Sequence, residues 1–136
     1  MEGKEYLDSL ESYEQFCDYI RYRYPFYEYG MWTVLDKGTG QVIGRAGIEE
    51  RQIGGKAYTE LGYVMHCSYR RKGIGFEICQ AILDYAKFAL YMEEIHAFIH
   101  LDNEASEKLL EKLGFQLYRE VKYKEMSLKH YYKKLY

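Results

Sequence analysis

With 136 residues, 48% hydrophobic and 29% charged, the chain has the composition of a soluble globular domain and is long enough to bury a core without a metal or disulfide staple. Nineteen Lys and Arg against 21 Asp and Glu leave a formal net charge of -2, which excludes wholesale electrostatic binding to nucleic acid or to an anionic membrane. Cys17, Cys67 and Cys79 are odd in number and show no Cys-x-x-Cys spacing, so neither a disulfide framework nor a zinc ribbon is indicated.

Charges interrupt Met1 to Leu10, and nowhere do about 18 apolar residues run together. The expectation is a cytoplasmic protein, a single domain over residues 1–136, with no membrane partner. Tyrosine is abundant, at 17 residues. Such rings stack on bases or line a ligand cleft, but they also fill half-buried strand positions where the hydroxyl stays wet.

In chain order, Ser9 or Ser12 caps an expected first helix with apolar positions Leu10, Tyr13, Phe16, Cys17 and Ile20, ending before Pro25. Met31 to Leu35 reads as a strand. Asp36-Lys37-Gly38-Thr39-Gly40 supplies a turn before a second strand, Gln41 to Ile48, and Gly54-Gly55 precedes a third, Ala57 to His66. From Gly73 to about Tyr91 the apolar period turns helical, with Ile74, Ile78, Ile82 and Ala86 in one stripe, widened by Cys79, Leu83 and Tyr85. Ile95, Ala97, Ile99 and Leu101 then alternate with His96, Phe98 and His100, which is strand periodicity. Strand, helix and strand make a βαβ unit whose two strands share a sheet. Asn103 caps a second helix with Ala105, Leu109 and Leu113 on one face, Gly114 ends it, and Phe115 folds back on Leu110. Phe115 to Tyr132 reads as two further strands.

The stretch richest in chemistry is Arg70-Arg71-Lys72-Gly73-Ile74-Gly75, at a strand-to-helix junction. Free amides and the positive dipole end of a helix suit a diphosphate, and glycine lets the backbone approach it; a solvated basic turn with a cap glycine is the equally ordinary alternative. Gly55-Lys56 lacks the remaining Walker A residues, and Gly38-Thr39-Gly40 has Ile43 in place of the third glycine of a dinucleotide fingerprint. His96 and His100, four residues apart on a strand, lie roughly 13 Å from each other, too far to share a metal ion. Charged pairs such as Glu93-Glu94 and Glu107-Lys108 read as solvated faces, and Cys67 adjoins the cationic turn.

Arg70-x-x-Gly73-x-Gly75, followed by Asn103-x-x-Ser106 and Leu109-Leu110-Glu111-Lys112-Leu113-Gly114-Phe115, resembles the GNAT superfamily of N-acetyltransferases, in particular its ribosomal-protein-N-terminal-acetyltransferase-like subgroup. The resemblance covers roughly Met31 to Tyr132. It implies an α/β fold: a mixed, twisted sheet splayed between two adjacent strands, flanked by helices, here with a shortened N-terminus. It also implies an acyl-CoA site. The amides of Arg71, Lys72, Gly73, Ile74 and Gly75 would surround the diphosphate, Arg70 would open the motif, Met65 would offer backbone hydrogen bonds to the thioester arm, and Asn103 would meet the pantetheine. His96, Phe98 and His100 are candidates to line the same cleft.

The reaction implied is direct acetyl transfer from acetyl-CoA to a primary amine, without a metal. Glu60, before Leu61-Gly62-Tyr63, is the candidate base, and equally a cross-strand carboxylate. Many relatives carry a Tyr on the second helix to protonate the leaving thiolate, where this chain has Leu110. Ser106 matches a serine proposed for that role, and is also placed to bond the backbone of the helix's first turn. A Glu common five residues before the Asn is here Phe98. These departures motivate the alternative of a non-catalytic acyl-CoA-binding sensor or regulatory module. The short start, mainly one helix before Met31, implies an exposed sheet edge suited to pairing with a second copy as a homodimer.

Overall fold

The computed structural model describes residues 30–36, 38–65 and 73–136. The expected first helix and Arg70, Arg71 and Lys72 lie outside those residues. Among the described residues, six strands and two helices follow in the order β1 (Met31–Leu35), β2 (Val42–Ile53), β3 (Lys56–Met65), α1 (Ile74–Phe88), β4 (Glu94–His100), α2 (Glu104–Lys112), β5 (Gln116–Tyr123) and β6 (Met126–Lys134). The strands form one sheet in the order β1-β2-β3-β4-β6-β5. All neighbours are antiparallel except β3 and β4, which are parallel and joined through α1. No helix among the described residues is long and apolar enough to cross a membrane.

Turn chemistry sets the register of the first hairpins. The Asp36 carboxylate accepts from the Gly38 amide at 2.8 Å, folding the first turn back on itself. Gly54 and Gly55 both take positive φ, 59° and 80°, the two-residue turn that matches strand twist. Pairing therefore runs on to Ile53 opposite Lys56, and β2 extends five residues beyond the expected end at Ile48. Gly47 of β2 permits a close approach of backbones, since a Cβ there would stand 1.8 Å from the Gly30 carbonyl oxygen, which accepts from the Ile48 amide.

One face of the sheet buries Ile48, Leu61, Ile95, Ala97 and Tyr131 against both helices. On α1 the buried residues are Cys79, Ile82, Leu83 and Ala86: Ile82 and Ala86 come from the expected stripe and Cys79 and Leu83 from its widening, while Ile74, Ile78 and Tyr85 are half-buried. The helix stops at Phe88 rather than near Tyr91, because the Leu90 amide turns back to Tyr85 and Tyr91 adopts φ 56°. On α2 the buried face is Ser106, Leu110 and Leu113; Ala105 is exposed and Leu109 half-buried, correcting the expected stripe. Gly114 takes φ 93°, and the Phe115 amide returns to the Leu110 carbonyl at 2.9 Å, as the spacing predicts. Leu101 lies past the end of β4 and is 41% exposed, so the alternation stops at Ile99. Glu107 is not simply solvated: its carboxylate accepts from Lys129 Nζ at 3.0 Å.

Of the described strands, β1 and β5 are outermost. Leu117 and Tyr118 of β5 are exposed and are followed by Arg119, Glu120 and Lys122, also exposed. The opposite face of the sheet carries polar and aromatic residues, and it opens into the cleft described next.

Candidate active site

Parallel strands normally pair along their length, but β3 and β4 share one register pair, Glu60 with His96. Beyond it they part. A cleft of about 470 Å³ begins on the polar face at Arg51, Glu60, Phe98 and Tyr123 and reaches through the parting to Ser106 and Leu110 on α2. The splay implied by the family resemblance is thus a feature of this chain.

Glu60 is 7% exposed. Burial pushes its carboxyl up to about 7, with Glu49 adding to the rise, while Arg51 and the Phe98 backbone N–H pull the other way. Arg51 Nε donates to Glu60 Oε1 at 2.9 Å. Ser106 is buried in the same cleft, and its amide donates to Asn103 Oδ1 at 3.1 Å. Glu60 and Ser106, named from sequence for opposite ends of one reaction, therefore line one space.

The sequence motifs do not single out Tyr63 as a site residue. Among the described residues its buried hydroxyl makes no hydrogen bond within the usual distance and angle, and burial pushes the phenol up to about 12, only partly offset by the Ser106 hydroxyl beside it. Tyr63 lines the main cleft and also a narrow second space with Met65, Gly75 and Cys79. It thereby joins the half of the site carrying Glu60 and Ser106 to the half at the start of α1.

That second half suits an anion. Gly73 caps α1 in the left-handed conformation, φ 74°; among the described residues, open space lies where a Cβ would be and no side chain caps the helix. The first intrahelical bond is Glu77 N to Gly73 O, so the amides of Ile74, Gly75 and Phe76 have no acceptor within the helix. Those donors and the dipole fit a diphosphate. Met65 is buried at the end of β3, next to Gly75. Asn103 lines neither space; its side-chain oxygen is used to cap α2.

Of the three β4 candidates, Phe98 and His100 line the cleft and His96 does not. His96 Nδ1 stands 2.9 Å from His130 Nε2, and His96 Nε2 stands 3.1 Å from Glu94 Oε1. Burial, then the His96 charge, pushes His130 down to about 4, so it is neutral near pH 7. Phe98 stacks on His130, with ring centres 4.3 Å apart. Among the described residues no group of three or more His, Cys, Asp or Glu is arranged to hold a metal ion.

The family model described as "Acetyltransferase (GNAT) domain" matches residues 3–116. An uncharacterized N-acetyltransferase, YoaA, of Bacillus subtilis (strain 168) is 30% identical over 113 residues, covering 81% of this chain and 63% of its own. The chain spans between about half and a little under two thirds of the length of such curated relatives. Among solved structures, a putative GnaT-family acetyltransferase from Bordetella pertussis superposes with a TM-score of 0.82 at 23% identity, covering 93% of this chain and 78% of that one. A ribosomal-protein-S5-alanine acetyltransferase from Vibrio fischeri gives 0.78 at 20% identity, covering 96% and 75%. A putative acetyltransferase, yncA, from Salmonella typhimurium, solved with its cofactor acetyl-CoA, gives 0.72 at 21% identity, covering 91% and 73%. The ribosomal-protein enzyme is thus one of several neighbours, and the expected subgroup is not singled out. The match over most of the chain, together with the parted strands and the glycine-started helix, establishes that this chain belongs to the GNAT acetyltransferase family.

Proposed function

We propose that the chain is an acetyl-CoA-dependent N-acetyltransferase that passes the acetyl group directly to a primary amine, on a small molecule or a peptide N-terminus. The observation that carries this reading is the buried carboxyl of Glu60 at the fork of β3 and β4, facing a cleft that continues between the strands to Ser106. An alkyl ammonium has a pKa of about 10 and attacks only after losing a proton. A carboxyl pushed up to about 7 accepts that proton near neutral pH far better than one at the ordinary carboxylate value.

Bound acetyl-CoA would supply the acyl group as an activated thioester. The amides of Gly73, Ile74 and Gly75, with Arg70, Arg71 and Lys72 before them, would hold its diphosphate, and the Met65 backbone would steady its arm. Asn103 spends its oxygen on the Ser106 amide, which leaves its side-chain NH2 as the donor toward the pantetheine. Ser106 supplies a hydroxyl on the leaving-group side of the cleft, where Leu110 has no proton to give.

That Leu110 favours a second reading, an acyl-CoA-binding module without turnover. One experiment separates the two: thiol release from acetyl-CoA with a series of amines, beside calorimetry with coenzyme A. Amine-dependent thiol release supports the transferase. Binding without release for every amine supports the sensor, and no heat with coenzyme A or its thioesters removes both.

A further inference from the structure

Glu49 and Glu60 stand directly opposite each other in the β2–β3 register. Like charges so placed repel. Arg51, two residues further along β2, reaches back to Glu60 through the 2.9 Å contact already described. The same guanidinium lies 5.8 Å from the ring centre of Phe98 and 5.0 Å from that of Tyr123. Lys124 Nζ approaches the Tyr123 ring as well, at 5.2 Å. Two carboxylates beside two aromatic rings are the chemistry that recognises an organic cation, and here one of the chain's own side chains meets that demand. The parts differ in exposure: the Glu60 side chain is 9% exposed, whereas that of Arg51 is 30% exposed, on a long stem at the cleft.

We propose that Arg51 is a resident stand-in for the acceptor, and that the ammonium of an alkyl or arylalkyl amine lacking a carboxylate displaces its guanidinium from Glu60, Phe98 and Tyr123. This rests on the amine-acetylating reading of the site and names its acceptor class. Once seated, the ammonium gives one proton to the Glu60 carboxylate: an N–H bond breaks, an O–H bond forms, and the amine keeps the electron pair with which it attacks. A carboxylate-bearing amine is disfavoured, because Glu49 and Glu60 would face its negative group.

The test is calorimetry on the full chain with coenzyme A present, titrating n-butylamine into the wild type, Arg51→Met and Arg51→Ala. Removing the resident cation is expected to tighten n-butylamine binding at least tenfold in both variants. With acetyl-CoA the KM for n-butylamine is expected to fall by a similar factor. In the wild type, n-butylguanidine is expected to compete with n-butylamine, a measurement that needs no variant and decides the matter if Arg51→Ala does not fold. Unchanged or weaker n-butylamine binding in the variants, or β-alanine bound better by the wild type than by either variant, overturns the proposal and makes Arg51 a fixed support or a carboxylate anchor. Because calorimetry reads the cation without turnover, cation binding in a protein that transfers nothing would overturn the transferase reading and leave the cage intact.

Discussion

Glu60 and His96 form the one register pair between β3 and β4, so the proposed base stands where the two strands are still held together. Its backbone is fixed by the sheet, and its side chain reaches Arg51 on one neighbour and the Phe98 amide on the other. When an ammonium takes the place of the Arg51 guanidinium, the sheet backbone and the Phe98 amide still hold the carboxyl, which keeps it in reach of the reacting amine.

Replacing Glu60 by Gln removes the proton acceptor while keeping the shape of the side chain. Turnover is expected to fall by about 10²–10⁴. Wild-type kcat/KM is expected to rise with pH through about 7 as the carboxyl ionises, and the variant to lose that rise. An unchanged pH–rate profile in Glu60→Gln would assign the base elsewhere.

His130 and Glu60 predict opposite pH dependences of stability. Glu60 titrates higher in the fold than its ordinary 4.5, so its folded form keeps a proton that the unfolded chain has lost; stability is full below pH 4.5 and declines as pH rises to 7. His130 titrates lower than its ordinary 6.5, so stability is full above pH 6.5 and declines as pH falls through 4. Each effect amounts to at most about 3 kcal/mol. Thermal melts of the wild type are expected to be nearly flat between pH 4.5 and 6.5. Those of Glu60→Gln should lose stability on acidification, and those of His130→Phe should gain it.

The Tyr63 hydroxyl, buried without a well-formed hydrogen bond among the described residues, predicts a gain on removal. Tyr63→Phe relieves a buried polar atom of its desolvation cost and is expected to stabilise the fold by about 1 kcal/mol, with an unchanged denaturant slope. A loss of stability instead would mean that the hydroxyl is engaged, with Ser106 the first candidate.

Asn103 has two roles that substitution can separate. Asn103→Ala removes the cap of α2 and is expected to cost about 1 kcal/mol, whereas Asn103→Asp keeps an accepting oxygen and should melt with the wild type. Both lose the side-chain NH2, and both are expected to bind coenzyme A more weakly. Retained affinity in Asn103→Asp would confine the residue to the helix terminus.

The order of strands and helices was legible because the chain punctuates itself: Gly54-Gly55, Gly73, Asn103 and Gly114 stand where a turn, a helix start, a cap and a helix stop are needed. Which helical face was buried was less so, since Ile74, Ile78, Cys79 and Leu83 are all apolar and only the sheet decides among them. Within the candidate site, Glu60 and Ser106 were legible through their place in two motifs. Arg51 was not, because its approach to Glu60 exists only once the glycine turn brings β2 and β3 together. His96 turns to His130, 34 residues away, for the same reason: pairing between β4 and β6 leaves no local trace in the spacing of either residue.

The alternating signs along β5 bear on the fate of the chain at high concentration. As the outermost strand among the described residues, with Leu117 and Tyr118 exposed, β5 is an edge on which another molecule can grow a fibre-like ladder. Arg119, Glu120 and Lys122 make that stacking costly by bringing like charges into line, so neutralising the three is expected to turn a well-behaved solution into an aggregating one without disturbing the cleft.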